Sequence, residues 1–148
     1  SCPDGIMLSN GPGNPESCRT IIREIKRIYE SGIPVFAICL GHQLMALANG
    51  ARTYKLKYGH RGGNHPVRDL GSGRVYISSQ NHGYAVDADT LDESVAEETF
   101  VNVNDGTNEG FSYLGKNIFT VQFHPEASPG PQDTGFLFDR FIDMMKGA

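Results

Sequence analysis

Tryptophan is absent from this 148-residue chain, cysteine occurs three times, and Lys plus Arg number 13 against 17 Asp plus Glu. Each shortage excludes something. Cys2, Cys18 and Cys39 are odd in number and irregular in spacing, which does not describe a disulfide framework and fits a reducing, cytoplasmic setting. A formal net charge of −4, with no cluster of lysine or arginine, argues against a nucleic-acid footprint. No apolar run approaches the length of a membrane span, and no basic start with an apolar middle reads as a secretory leader. The expectation is a protein that meets neither nucleic acid nor membrane. No Cys-x-x-Cys or His-Glu-x-x-His spacing occurs, so no metal site is expected. The glycines of "NGPGNP" are not followed by Gly-Lys-Ser/Thr, so no phosphate loop is expected either.

What is present suits one domain, long enough to bury a core without staples. "GIMLS", residues 5–9, reads as a short buried strand running into a turn-rich loop. Asn14, Pro15 and Glu16 supply a cap, a first helical residue and a first-turn acid. Ile21, Ile22, Ile25, Ile28 and Tyr29 then recur at helical spacing, and Gly32 with Pro34 closes the helix. "PVFAI" is a second buried strand, and Leu40 to Ala48 a second helix stopped by Gly50. Strand, helix, strand, helix predicts an α/β domain with a parallel sheet. From Arg52 to about Val86 the chain reads as strands and loops, with "ETFVNVND" and "NIFTVQF" as further strands. Asp133 or Thr134 can cap a last helix whose apolar stripe is Leu137, Phe138, Phe141, Ile142 and Met145.

The chemistry concentrates at Cys39. A lone cysteine at a strand end is most often a small buried hydrophobe. A cysteine between a strand and a helix also sits at the carboxyl edge of an α/β sheet, where such folds bind ligands. The sharp turn of a nucleophile elbow needs small residues two before and two after, here Ala37 and Gly41. The helix amino terminus favours the thiolate, and the Leu40 N–H is placed to stabilise an oxyanion. Cys2 and Cys18 carry no such context.

A nucleophilic thiol needs a base, and the base an orienting group. His42, three residues on, reads as a capping or packing histidine, while His60, His65 and His82 fall in glycine-rich segments without a carboxylate at useful spacing. In "FTVQFHPEASPGP", His124 ends a strand and Glu126 follows beyond a proline that keeps the segment extended. Glu126 can then hold the imidazole Nδ1–H and leave Nε2 for the thiol proton. An ordinary surface "HPE" is the competing reading. Together Cys39, His124 and Glu126 describe a triad.

"AICLGHQ" and "QFHPE" resemble the two signature segments of the class I, triad-type, glutamine amidotransferases. "LSNGPGNP", "GHRGGNHPV", "SSQNHGYAVD", "VNDGTNEG" and "QFHPEASPGPQDT" are similar to the amidotransferase domain of carbamoyl-phosphate synthetase small subunits, so the resemblance runs over essentially the whole chain. It implies a flavodoxin-like open α/β sheet and hydrolysis of L-glutamine through a cysteine thioester. The ammonia would pass to a large carbamoyl-phosphate synthetase subunit, which would carry ATP and Mg, leaving no cofactor in this chain. The product would feed pyrimidine and arginine synthesis. Carried over, the resemblance makes Cys39 the nucleophile with His124 and Glu126. It puts the N–H groups of Gly11 and Leu40 in the oxyanion hole, and Gly11, Gly13, Leu40, Gln43, Asn81, Gly83 and Tyr84 around glutamine. Ala37 stands where the family commonly has glycine, and Tyr84 where phenylalanine is frequent. Family domains begin with one more strand and helix, so the resemblance implies that residues 1–148 form an amino-terminally incomplete glutaminase domain. Two other functions remain open on this reading: service to a different synthetase, or a non-catalytic module of the same fold.

Overall fold

Val35–Ile38 is apolar and buried at every position, and Ile118–Val121, apolar but for Thr120, is buried at every position too, so neither can be an edge strand with a wet face. The computed structural model, which describes residues 4–9, 19–125 and 135–147, joins them as parallel neighbours near the middle of a seven-stranded sheet. In chain order the elements are β1 (Ile6–Leu8), α1 (Arg19–Glu30), β2 (Val35–Ile38), α2 (Leu40–Ala48), β3 (Arg52–Asp69) and β4 (Val75–Asp87). A short 3-10 turn at Ala88–Thr90 leads into β5 (Ala96–Asn102), β6 (Asn108–Tyr113), β7 (Ile118–Val121) and α3 (Phe136–Gly147). The order across the sheet is β1-β2-β7-β6-β5-β3-β4.

The predicted parallel sheet holds for β1, β2 and β7. From β7 onward every pairing is antiparallel. The difference comes from the connections: α1 carries the chain between parallel strands, whereas β3–β4, β5–β6 and β6–β7 are joined by turns too short for a crossover. "RTYKLKYGHRGGNHPV" is not a set of strands and loops but most of one 18-residue strand, kinked by two register shifts. β6, inside a segment whose turn-forming residues did not suggest a strand, was not expected at all.

Successive residues of the buried strands feed opposite faces. Val35, Phe111, Tyr113 and Ile118 join Ile25 of α1 and Leu44 and Met45 of α2 in one core. Phe36, Ile38, Phe119 and Val121 join Leu137 and Phe141 of α3 in the other, with Phe36 and Phe119 stacked at 4.5 Å. The expected helical stripes are seen with one exception each. Ile21 of α1 and Ile142 of α3 lie at the margins of their stripes and stay exposed. The cap expected at Asn14 and that at Asp133 or Thr134 lie outside the described residues.

Candidate active site

Cys39 occupies the single turn residue between β2 and α2, with φ 55° and ψ −110°. It is the one non-glycine residue at positive φ among those described. This conformation is costly for any residue with a Cβ, and such strain collects at sites where a side chain must be presented. Gly41 shows why the elbow needs small neighbours. A Cβ there would stand 2.7 Å from the Leu8 carbonyl oxygen and 2.9 Å from Leu8 Cβ, so α2 could not pack onto β1.

The thiol is held by polar groups from three directions. Cys39 N–H donates to the Val121 carbonyl at 2.9 Å, fixing the elbow to the end of β7. Sγ lies 3.9 Å from the Asn81 carbonyl oxygen of β4, and the Gln122 side-chain amide donates to it at 3.7 Å. The first N–H groups of α2 have no intrahelical acceptors and point toward the same end. A donor amide and a helix amino terminus both favour a thiolate over a thiol.

His124 follows β7 and crosses to β4, where its N–H donates to the Ser79 carbonyl at 2.8 Å. Ser79 and Asn81 are two residues apart on one extended strand, so their side chains leave the same face. The same short stretch of β4 therefore anchors both the thiol and the half-buried histidine. Glu126, Gly11 and Gly13 lie outside the described residues, as do Cys2 and Cys18. Leu40 opens α2 immediately after the elbow.

Gln43, expected beside a substrate, is buried and bridges three elements. Its amide nitrogen donates to the Tyr84 carbonyl and to Gln122 Oε1, each at 2.8 Å. Gln122 was missed by sequence reasoning, although it stands two residues before His124. Through it the relay from β4 and α2 reaches Sγ. Asn81 and Gly83 alternate with the buried Gln80 and His82, which turns Asn81 and Gly83 toward the open face of β4.

The remaining histidines separate from this chemistry. His42 is completely buried, stacked on Phe111 and bonded through Nδ1 to Thr120 Oγ1 at 2.7 Å. Burial drives its pKa down to about 3, against a partly opposing contact with Asn108, so it packs as a neutral ring. His60 and His82 correct the sequence reading. They lie on β3 and β4, not in loops, and the turn and strand at 102–109 bring them carboxylates from Asp105 and Glu109.

Comparison with known proteins gives one consistent result. A family model described as glutamine amidotransferase class-I matches residues 1–144. A carbamoyl phosphate synthase small chain of Neisseria meningitidis is 56% identical over 146 residues, which is 99% of this chain and 38% of that relative. The chain thus spans about two fifths of the length of the curated relatives it matches. Among solved structures, a putative GMP synthase protein of Thermoplasma acidophilum superposes with a TM-score of 0.81 at 23% identity, covering 97% of this chain and 73% of that one. A glutamine amidotransferase of Thermotoga maritima does so with a TM-score of 0.70 at 24% identity, covering 97% and 63%.

Proposed function

This chain belongs to the class-I glutamine amidotransferase family, and from that premise we propose that it hydrolyses L-glutamine to deliver ammonia for carbamoyl phosphate synthesis. The observation that carries the reading is the strained elbow at Cys39, whose sulfur faces the Gln122 amide and the Asn81 carbonyl. A backbone held at φ 55° is strained, and it aims the sulfur at the edge where α/β sheets take ligands.

The steps follow from these groups. The Cys39 thiolate attacks the side-chain amide carbon of glutamine, and the Leu40 N–H stabilises the oxyanion, with Gly11 as the second donor. His124, oriented by Glu126, gives its proton to the departing ammonia and then takes one from the water that cleaves the γ-glutamyl thioester. Asn81, Gly83 and Tyr84 present oriented dipoles to the zwitterionic end of glutamine, and Gly13 lines the same site. Gln43 supports them through Tyr84 and Gln122, contacting substrate from the start of α2.

The sequence likeness to carbamoyl phosphate synthase small chains supports transfer of the ammonia to a large synthetase partner. That partner would bind ATP and Mg and use bicarbonate in a cytoplasmic complex serving pyrimidine and arginine synthesis. No described helix is long and apolar enough to cross a membrane. In the complex of full-length chain and partner, a glutamine-derived chloroketone is expected to label Cys39. Cys39→Ser should remove glutamine-dependent synthesis and spare ammonia-dependent synthesis. Glutamine hydrolysis surviving in Cys39→Ser would refute the mechanism, and a partner that aminates a different acceptor would refute the assignment.

A further inference from the structure

Behind the open face of β4, a group of buried polar side chains has more acceptors than hydrogens. His60 Nε2 lies 2.7 Å from Asp105 Oδ2, and a carboxylate can only accept, so the His60 proton is on Nε2. Its Nδ1 lone pair turns inward. His82 Nδ1 lies 2.6 Å from the Tyr84 carbonyl oxygen, another obligate acceptor, so its proton is on Nδ1 and its Nε2 lone pair turns inward as well. These two lone pairs face each other across 3.2 Å.

Gln80 adds a third acceptor. Ser78 donates its hydroxyl hydrogen to the His65 carbonyl at 2.7 Å, so Ser78 Oγ accepts from Gln80 Nε2 at 2.9 Å. The other Gln80 amide hydrogen goes to Glu109 Oε2 at 3.0 Å. Gln80 Oε1 is left pointing at His82 Nε2, 2.8 Å away, and at His60 Nδ1, 3.1 Å away. Glu109 Oε2 also accepts from the Asn102 amide at 3.1 Å and lies 3.7 Å from His60 Nδ1, and Glu109 Oε1 is buried with no partner. With Gln80 in this orientation, one added proton could join two of these atoms and would leave the others facing one another. A cation with several open coordination positions answers all of them.

The spacing fits such an ion. Tetrahedral ligands bound at zinc–nitrogen lengths stand about 3.3 Å apart, and the four separations that involve His60 Nδ1 or Gln80 Oε1 with a histidine nitrogen run from 2.8 to 3.7 Å. His60, His82 and Glu109 are all buried, with ligand atoms within 4.8 Å of one another. Asp105 behind His60 and the Tyr84 carbonyl behind His82 are the outer partners that metal-bound imidazoles use to fix their tautomers. We propose that His60 Nδ1, His82 Nε2 and the Glu109 carboxylate, completed by Gln80 Oε1, bind a single divalent transition-metal ion of the zinc type. The ion braces β3, β4 and β6 against one another just behind Asn81 and Gly83. It makes no contact with Cys39 and takes no part in its chemistry.

The test is metal retention, which needs no turnover and is therefore independent of the glutaminase reading. Full-length protein with its cysteines replaced by serine, which removes competing thiolates, is stripped with chelator, loaded with zinc or cobalt(II) alone, and gel-filtered. The expected result is one retained equivalent, a cobalt spectrum of tetrahedral intensity without sulfur charge transfer, and a higher Tm with zinc. Glu109→Gln and His60→Gln should lose retention. Asp105→Asn should weaken binding roughly ten- to a hundredfold, because it acts through His60. If His60→Gln does not fold, Asp105→Asn against the parent decides the matter. Failure to retain zinc, or retention indifferent to Glu109→Gln and Asp105→Asn, would overturn the site. So would a nitrogen NMR spectrum of metal-loaded protein showing His60 and His82 joined by a proton.

Discussion

At Cys39 and His42 the backbone and the proton inventory make opposite demands on stability. A side chain at φ 55°, ψ −110° costs on the order of 1–3 kcal/mol, a penalty glycine does not carry. Cys39→Gly is therefore expected to melt higher than Cys39→Ala, although both lack the proposed nucleophile. Equal Tm values, measured by calorimetry, would mean the elbow relaxes when the sulfur is gone. His42 contributes in the other direction. Its folded pKa of about 3 lies below the ordinary 6.5, so the unfolded chain binds the extra proton. The stability this neutral ring contributes is complete above pH 6.5 and drains as pH falls toward 3, at about 1.4 kcal/mol per pH unit. Denaturant melts between pH 7 and 4 should therefore show a shallower acid slope in His42→Gln than in the parent.

The elements differ in how much of themselves they reveal locally. β2, α2 and the Cys39 elbow were legible because each rests on neighbours in sequence: an unbroken apolar run, a helical period, and small residues two either side of a cysteine. His124 was legible for the same reason, since "QFHPE" carries its own context. β6 was not, because Asn108, Glu109 and Gly110 lack strand propensity and are held by pairing with β5 and β7. Gln122, Asp105 and Glu109 escaped for a related reason: the partners that draw them into these clusters lie 29 to 83 residues away, at distances no spacing rule samples. Gly41 is where local and tertiary demands meet, since its helix packs directly against the Leu8 backbone. Gly41→Ala should cost about 1–3 kcal/mol through overpacking. A cost below the ordinary helix gain of Ala over Gly would show that α2 can slide away from β1 freely.

Across the whole molecule, the sheet order ends on β4, four strands beyond β7, yet the segment after β7 pairs back onto β4 at Ser79 and His124. The sheet must curl to allow this, and the curl brings the Cys39 elbow after β2 and the Asn81 stretch of β4 to one place. Closure rests on far less than the parallel core does. β2 and β7 are buried along their full lengths, whereas His124 meets β4 through an isolated bridge. Such regions open by local fluctuation and not by global unfolding. Native-state hydrogen exchange should therefore release the His124 amide roughly tenfold or more faster than the Cys39 amide, which donates to Val121 in the core. The His124 amide should also respond weakly to low denaturant, because little surface is exposed when the bridge opens. A glutamine analogue seated between Cys39 and β4 should slow His124 while leaving Cys39 unchanged. If both amides exchanged at the global free energy with the same denaturant slope, the site would be part of the rigid core. The curl would then be a fixed scaffold, with no closing step for substrate to drive.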